Sequence, residues 1–506
     1  MRFVLAFIAG VAIAAAVMTA SHPLVAVAAA KSTPSPSPAP SPSATADPPE
    51  VAIPKLQAQL KANPNDRAAL IAISQAYLAI QRPDLASQSI SRLMQLGVKT
   101  AQVYYLSGYA NLQLERLPQA AADLENASNQ EPTNMAVLSM LADVYIRENR
   151  PADAERVAKR ALTFNKDDPG AYVTYGAVLE GEQKYDEARV QYEIAAKMNP
   201  KDPQPVLLEA RSYLKQNAVA LASPLFDRAL AIDPNNIDAL NGKAQALAAQ
   251  HDVRGAIAVF ERIRNLIPNT ADKASISVDE AHLYASEKMD DQAVATYKAA
   301  IAQYPSVPAL RVAYGDYLAQ KNNLDGAVAE WEGALGTNRD NRDALGRLGT
   351  YYADKKDYTK ALDYLKRLTE LYPQDPRGWS ILASVYAEQK DWQRSHDAFR
   401  HAYDLTHAPD LLKAVGQTDL NLHNYKEAQQ IFESIEKNGA DYVKQDPSVL
   451  YMLGQSYQKQ GLNPQAKSAY QRFLAYLKPG TQAYGEVQKM IQDIDKSDKP
   501  KPKPQG

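Results

Sequence analysis

A pair of small residues that recurs about every 34 residues is the most constraining feature of the sequence. The second member of each pair follows the first by twelve positions, and it is alanine in eleven of twelve cases. These second members are Ala86, Ala120, Ala154, Ala188, Ala222, Ala256, Ala293, Ala327, Ala361, Ser395, Ala428 and Ala466. Self-similarity at such a period is typical of arrays that stack one small unit many times. We therefore predict one continuous array rather than the three or four globular domains that 506 residues would otherwise suggest.

The residue types within one period favour a pair of short antiparallel helices. Glycine occupies the first small position in several units, as in Gly176 and Gly315, although glycine inside a helix costs about 1 kcal/mol relative to alanine. Its recurrence indicates a close approach of two helices at that point. Bulky residues such as Tyr192, Phe226 and Trp331 follow four positions after the second small residue, where they would fill the space between units. Because one such unit cannot bury its own apolar face, neighbouring units must stack.

The segment WSILASVYAEQKDWQRSHDAFRHA, from Trp379 onwards, carries most of a known repeat signature. Its Trp379, Tyr386 and Phe399 resemble the pattern of the tetratricopeptide repeat (TPR), although Ser395 replaces the usual alanine. The resemblance implies an all-α fold, a right-handed α-α superhelix (TPR solenoid) of about twelve helix-turn-helix repeats over residues 67–480.

Both ends of the array carry sequences that would cover it. Residues 51–66 are in register with the repeat and read as a capping half-repeat, and residues 481–495 form an amphipathic stretch that reads as a C-terminal capping helix. Insertions before the seventh and twelfth units disturb the phase. We expect either a longer helix or a bend at these two places.

Residues 1–30 carry a candidate export signal. Arg2 precedes an apolar run over residues 3–20, and alanines at A-x-A spacing follow, as in a secretory signal peptide. Because about 18 apolar residues reach the lower limit for crossing a bilayer, an uncleaved membrane anchor through residues 3–20 is the alternative. Both interpretations predict an exported protein, periplasmic or extracellular. The sparse flanking charges leave open a third arrangement, an anchored array that faces the cytoplasm.

Two further segments lack the pattern of a folded unit. Residues 31–50 alternate serine and proline, which denies the backbone both helix and sheet hydrogen bonds, so we predict a disordered linker. Residues 496–506 are rich in lysine and proline and read as a disordered basic tail.

The composition and motifs argue against several classes of function. The chain has no cysteine, and its formal net charge of -2 does not favour nucleic-acid binding. His396, His401 and His407 are spaced five and six residues apart, which does not place two of them on one helical face as a metal site would need. The repeats leave no room for a catalytic domain, so we predict no enzyme, no catalytic residues, no cofactor and no metal.

The TPR resemblance implies where partners would bind. In that family the first helices line a groove, and the second, fifth, ninth and twelfth places of each unit contact partners. The positions that follow here are Tyr105, Tyr109, Asp143, Arg211, Asn241, Gln245, His282 and Asp316, with Lys413, Tyr451 and Gln455 further along. The family's carboxylate clamp is matched only by Lys413, with Gln417 in place of its asparagine. Tyr105 and Tyr109 could equally pack within the helix layer.

The sequence therefore favours a non-catalytic protein-protein interaction scaffold or adaptor. Combined with the export signal, the resemblance implies an exported bacterial type that binds protein or peptide partners in the cell envelope. The alternative is a carbohydrate-binding component of polysaccharide export, for which Tyr105, Tyr109 and Tyr451 would supply stacking rings.

Overall fold

The computed structural model describes residues 47–497, which form 27 helices and no strand. The described chain divides into two compact units, residues 47–293 and 294–497. The first unit contains α1 (Pro49–Ala62), α2 (Arg67–Ala79), α3 (Pro83–Gln95), α4 (Ala101–Gln113), α5 (Leu117–Gln130), α6 (Met135–Arg147), α7 (Pro151–Phe164), α8 (Pro169–Gly181), α9 (Tyr185–Met198), α10 (Gln204–Lys215), α11 (Val219–Ile232), α12 (Ile237–Ala249), α13 (Val253–Leu266) and α14 (Thr270–Ser286).

The boundary between the units falls within α15 (Asp290–Gln303). The second unit continues with α16 (Pro308–Gln320), α17 (Leu324–Thr337), α18 (Arg342–Asp354), α19 (Tyr358–Leu371), α20 (Pro376–Glu388), α21 (Trp392–Thr406), α22 (Pro409–Asn421), α23 (Tyr425–Asn438), α24 (Ala440–Gln445), α25 (Ser448–Lys459), α26 (Asn463–Leu474) and α27 (Gln482–Ser497). Apart from α1, α24 and α27, the helices form twelve consecutive pairs, which confirms the all-α fold and the predicted number of repeats.

The turn inside each helix pair has the same backbone geometry. Gln81, which follows α2, adopts a left-handed conformation with φ of 56°, and the amide of Arg82 donates to the carbonyl of Tyr77 at 2.8 Å. This is the Schellman ending of a helix, which satisfies carbonyls that the helix leaves unpaired. The equivalent left-handed residues of the twelve pairs are Gln81, Glu115, Asn149, Gln183, Asn217, His251, Lys288, Asn322, Lys356, Lys390, His423 and Gly461. Only the last is glycine.

The predicted close approach of the two helices is present within the pairs. A Cβ atom on Gly315 would lie 2.5 Å from Nε1 of Trp331, and one on Gly454 would lie 2.5 Å from Cε1 of Tyr470. Tyr470 is fully buried and Trp331 is almost so. The small residues therefore make room for the bulky ones, and the bulky ones form the core between the helices.

The phase breaks lengthen or add helices. The insertion before the seventh repeat gives α14 17 residues instead of the usual 13 or 14, and the insertion before the twelfth forms the six-residue helix α24. Helix α21 has 15 residues and ends at Thr406, and the next residue, His407, is left-handed with φ of 54°.

Helices α1 and α27 pack on the ends of the array. Ile53 and Leu56 of α1 pack against buried residues of the first unit, and Val487 and Ile494 of α27 are buried in the second. The bounds of both helices differ slightly from those of the predicted caps. Helix α1 starts at Pro49, because proline is favoured in the first turn of a helix, and α27 extends two residues into the predicted tail.

The predicted signal peptide or anchor (1–30) lies outside the described residues, as do most of the linker (31–50) and of the tail (496–506). Within residues 47–497, none of the helices combines the length and the apolar character that a membrane span requires.

Candidate functional site

The first helices of neighbouring repeats contact one another. Helix α6 touches α8, and α10 touches α12, in addition to the contacts that each makes with second helices. The first helices of the unit 47–293 therefore form a layer. We call the second, fifth, ninth and twelfth places of its repeats between residues 101 and 249 the first-helix face. Of the eight predicted partner-binding residues, six lie on this face: Tyr105, Tyr109, Asp143, Arg211, Asn241 and Gln245.

Tyr105 and Tyr109 lie one turn apart on α4 but differ in exposure. Tyr105 is only 5% exposed, and its hydroxyl has no hydrogen-bond partner among the described residues. Burial, with a smaller contribution from Tyr109, raises the pKa of Tyr105 to about 12. Tyr109 is half-buried and packs against the core of the unit. These observations favour packing within the helix layer for Tyr105 and leave Tyr109 as the accessible ring.

Asp143 and Arg211 are held in ion pairs. Arg147 contacts the Asp143 carboxylate at 3.0 Å, within α6. Burial raises the pKa of Asp143, and the charge of Arg147 opposes that shift. Arg211 on α10 contacts Asp238 on α12 at 3.1 Å, so this pair joins two neighbouring repeats.

Sequence reasoning missed a further ion pair of the same kind. Lys215 on α10 contacts Glu180 on α8 at 2.5 Å, and the Tyr192 hydroxyl donates to the same carboxylate at 2.8 Å. Glu180 occupies the twelfth place of its repeat, which the family pattern includes, so its position could have been found. Its partner could not, because Lys215 is 35 residues away and at a place that the pattern omits.

The remaining candidates of the unit 47–293 are polar residues on α12 and α14. Asn241 and Gln245 lie one turn apart on α12 and are half-buried. The Asn241 Oδ1 atom is buried without a hydrogen-bond partner among the described residues. His282, on α14, is exposed.

Asp316 belongs to the unit 294–497 and is fully engaged there. Arg347 on α18 binds its carboxylate through Nε and a terminal nitrogen at 2.8 and 2.9 Å, and the Trp331 indole donates to it at 3.2 Å. Such a bidentate arginine-carboxylate pair is geometrically specific. It joins α16 to α18, as the pair of Arg211 and Asp238 joins α10 to α12.

The lysine of the predicted carboxylate clamp is also engaged. Lys413 forms an ion pair with Asp446, and the Tyr442 hydroxyl donates to Asp410. Tyr451 is buried, and the Gln455 side chain donates to its hydroxyl at 3.2 Å. A lysine committed to Asp446 is not poised for a peptide carboxylate, which agrees with the weak sequence match.

The histidines of the second unit do not come together. His396 lies 3.4 Å from buried Asp419 on α22, and this hydrogen bond raises the pKa of His396. His401 instead contacts the Pro373 carbonyl and the Trp379 ring, whose centroid is 4.3 Å away. Residues 47–497 contain no group of three or more histidine, aspartate or glutamate side chains arranged to hold a metal ion.

The geometry defines a class of protein, an array of stacked helical hairpins with a mixed polar face on its first helices. Family profiles described as "Tetratricopeptide repeat" match residues 218–275, 318–385, 291–341 and 448–476. A profile described as the C-terminal ARM domain of tetratricopeptide repeat protein 21 matches residues 106–236. The chain is a tetratricopeptide repeat protein, which confirms the predicted family.

Curated relatives match parts of the chain at low identity. The Protein CTR9 homolog of Arabidopsis thaliana is 21% identical over 279 residues, which are 54% of this chain and 24% of that protein. The mitochondrial import receptor subunit TOM70 of Saccharomyces cerevisiae is 26% identical over 192 residues, 36% of this chain and 31% of that one. The general transcriptional corepressor trfA of Dictyostelium discoideum is 26% identical over 133 residues, 26% of this chain and 10% of that one. The chain thus spans less than a third of the length of each.

Solved structures with TPR folds are also similar. A chain of the APC/C hetero-tetramer Cut9-Hcn1 aligns with a TM-score of 0.33 at 13% identity, covering 88% of this chain and 93% of that one. YrrB, described as a TPR protein with an unusual peptide-binding site, aligns at 0.28 and 22% identity, covering 37% and 97%. PilF of Pseudomonas aeruginosa aligns at 0.33 and 19%, covering 44% and 97%. No functional conclusion rests on scores this low.

Proposed function

We propose that this protein is a non-catalytic interaction scaffold that binds protein or peptide partners on its first-helix face. The observation that carries the proposal is the layer of first helices in the unit 47–293, where α6 contacts α8 and α10 contacts α12. This layer presents half-buried polar and aromatic side chains, among them Tyr109, Asn241 and Gln245. Interaction through the repeats is consistent with TOM70, a relative named as a mitochondrial import receptor subunit.

We further propose that the protein is exported and works in the bacterial cell envelope, as the exported TPR type would. Support comes from Arg2, the apolar run over residues 3–20 and the A-x-A alanines, together with the serine- and proline-rich spacer at 31–50. N-terminal sequencing of the mature protein from fractionated cells tests this proposal. A new N-terminus near residue 30 in the periplasmic or extracellular fraction supports cleavage and export. Recovery of the intact chain in the cytosol contradicts them.

Affinity capture with the purified chain tests partner binding. We expect defined proteins from envelope extracts to be retained by the wild type, and the combined change Tyr109→Ala and Gln245→Ala to weaken their retention. The matched control is Gln88→Ala with Gln119→Ala, which alters exposed residues on the second helices α3 and α5. Equal retention by both double variants would place binding elsewhere, and no retention above background by the wild type would refute the scaffold proposal.

Two of the three tyrosine rings that carbohydrate binding would require are not accessible. Tyr105 and Tyr451 are each 5% exposed, so neither presents an aromatic face for a sugar to stack on. Tyr109 alone does not make a stacking platform of the kind that the alternative requires.

A further inference from the structure

The charges on the first-helix face of the unit 47–293 are balanced internally. Four charged residues occupy its second, fifth, ninth and twelfth places, and each has an opposite charge within 3.1 Å. The pairs are Asp143 with Arg147, Glu180 with Lys215, and Arg211 with Asp238. The three pairs sum to zero net charge. None of these four residues offers an unpaired charge to a ligand.

Burial of the carboxylate makes two of these pairs, those of Glu180 and Asp143, difficult to exchange for a charged ligand. The side chains of Glu180 and Asp143 are only 10% and 18% exposed. A ligand that recruited Lys215 or Arg147 would leave one of these carboxylates partly buried without its counter-charge, which is more costly than leaving the pair intact. Two of the pairs also join neighbouring first helices, so breaking them would loosen the face itself.

The groups that remain uncommitted on this face are neutral. Asn241 has a buried Oδ1 without a donor among the described residues, and Gln245 and Tyr109 are half-buried neutral side chains. Amide and phenol groups form hydrogen bonds with backbone N–H and C=O groups and with uncharged side chains. They give no preference for an acidic or a basic segment.

We infer that the segment bound on the first-helix face is an uncharged polypeptide, recognised through its backbone amides and neutral side chains. This inference rests on the proposed function and specifies the chemistry of the partner. It predicts binding that is nearly independent of salt, because screening by ions acts on charge pairs between the partners and none is formed.

Selection from a random peptide library, displayed on phage and panned against the immobilised full-length chain, tests the inference. We expect the enriched peptides to contain fewer Asp, Glu, Lys and Arg residues than the starting library. The affinity of the best synthetic peptide, measured by calorimetry, should change less than about threefold between low and high salt. Enrichment of charged peptides, or a loss of about tenfold or more at high salt, overturns the inference and leaves the scaffold proposal standing.

Variants place the binding on this face. Asn241→Leu combined with Gln245→Leu should weaken the selected peptide about tenfold or more, whereas Gln88→Leu combined with Gln119→Leu, on the exposed side of the second helices α3 and α5, should leave its affinity unchanged. Circular dichroism melting curves verify that both variants fold. A peptide unaffected by the first pair, or weakened by the second, contradicts the inference. If no peptide is enriched on the full-length chain, the proposed function fails as well.

Discussion

Two neighbouring repeats fill the same space with opposite arrangements of small and large residues. In the pair α8 and α9, the fully buried Tyr192 rests on Gly176 of its own first helix, where a Cβ atom would lie 2.5 Å from the ring. Leu208, at the sixth place of the next repeat, packs in the same apolar cluster. The bulk around Tyr192 is therefore supplied by the following repeat.

In the pair α10 and α11, the equivalent ring is Phe226. Its own first helix carries Ala210, and the sixth place of the next repeat is Gly242, where a Cβ atom would lie 2.1 Å from the ring. Here the larger residue lies on the repeat's own first helix, and the smaller one lies on the following repeat. The two repeats therefore keep a similar total volume around the ring, shared across the boundary between repeats, since interiors are packed to nearly constant density.

The polar tip of Tyr192 adds a second difference. Its hydroxyl donates to Glu180, at the twelfth place of its repeat, at 2.8 Å. Tyr470 repeats this arrangement: it lies against Gly454 and donates to Gln458, again at the twelfth place, at 2.9 Å. In these two repeats the buried tyrosine occurs with a glycine and an acceptor, whereas Phe226 needs no acceptor.

The repeat that begins with α14 differs again at this place, and a substitution there should have the largest effect on stability. After Leu208 and Gly242, the sixth place is Asp279, which is 5% exposed and whose Oδ2 has no hydrogen-bond partner among the described residues. Burial, with a smaller contribution from Glu280, raises the pKa of Asp279 to about 7. The folded state then binds more protons than the unfolded state. Stability is complete below the unfolded pKa of about 4 and is lost as the pH rises towards 7, by at most about 4 kcal/mol.

Asp279→Asn should remove this pH dependence. Urea unfolding, followed by far-UV circular dichroism at about pH 5 and about pH 8, measures it, and the variant should be more stable than the wild type at the higher pH. The control is Asp272→Asn, which changes an exposed carboxylate in the first turn of the same helix. If both variants show the wild-type pH dependence, the carboxyl of Asp279 is not the group responsible.

Gly242→Ala should give the next largest effect, a loss of about 1–3 kcal/mol, because the added methyl overlaps a ring that has no room to move. Phe226→Leu should restore part of the loss when combined with it, since it removes the overlapping atoms. Gly336→Ala is the matched control: apart from the chain neighbours and the backbone of its own helix, no atom lies within 4 Å of its added Cβ, and it should stabilise the helix by up to about 1 kcal/mol. Additivity of Gly242→Ala and Phe226→Leu in urea unfolding would show that the two residues do not share one volume.

Gly176→Ala should cost about 1–3 kcal/mol, but less than Gly242→Ala, since the added Cβ would lie 2.5 Å from the ring rather than 2.1 Å. We expect Leu208→Ala to compensate in part, because it removes side-chain volume that the following repeat contributes around the ring. Free energies of unfolding of the two single variants and the double variant measure the coupling. A double variant as unstable as the sum of the singles would contradict the sharing of volume across the repeat boundary.

Tyr192→Phe should give the smallest effect, about 1 kcal/mol, because the ring and its packing are kept while one hydrogen bond to a carboxylate is lost. Glu180 retains its ion pair with Lys215, so the carboxylate is not left without a partner. Thermal melting of this variant beside Phe226→Tyr measures the difference. Phe226→Tyr should be the more costly of the two, since the twelfth place of that repeat is Leu214 and offers no acceptor. If Tyr192→Phe proved more costly than Phe226→Tyr, the presence of an acceptor at the twelfth place would not explain the difference between the two repeats.

Much of the architecture could be predicted because its signals are local and repeat in phase. The small residue at Gly315 and the bulky residue at Trp331 lie sixteen positions apart in one repeat, and the structure places them in contact, at the close helix approach that the recurring glycine predicts. The insertions were located, but the sequence did not distinguish the longer helix α14 from the added helix α24. That choice depends on which neighbouring helix can accept the extra residues.

The candidate site was predicted less completely. The family pattern gave the positions of Asp143, Arg211 and Asp316, but not that each is already paired. It also gave no means of separating Tyr105, which is buried, from Tyr109, which is half exposed. Both tyrosines satisfy the same pattern, and their exposure depends on how closely the adjacent helices pack.

The pattern of amino acids is enough to require paired helices that stack, because the small and bulky residues recur in step with the helix and each pair is too small to bury its own apolar side. Which polar groups are already paired is visible only in the folded protein. Arg211 meets Asp238 across 27 residues, and Lys215 meets Glu180 across 35. Such meetings depend on the rotation and axial offset of one helix against the next, and a hydrogen bond or ion pair tolerates an error of less than about 1 Å in these quantities.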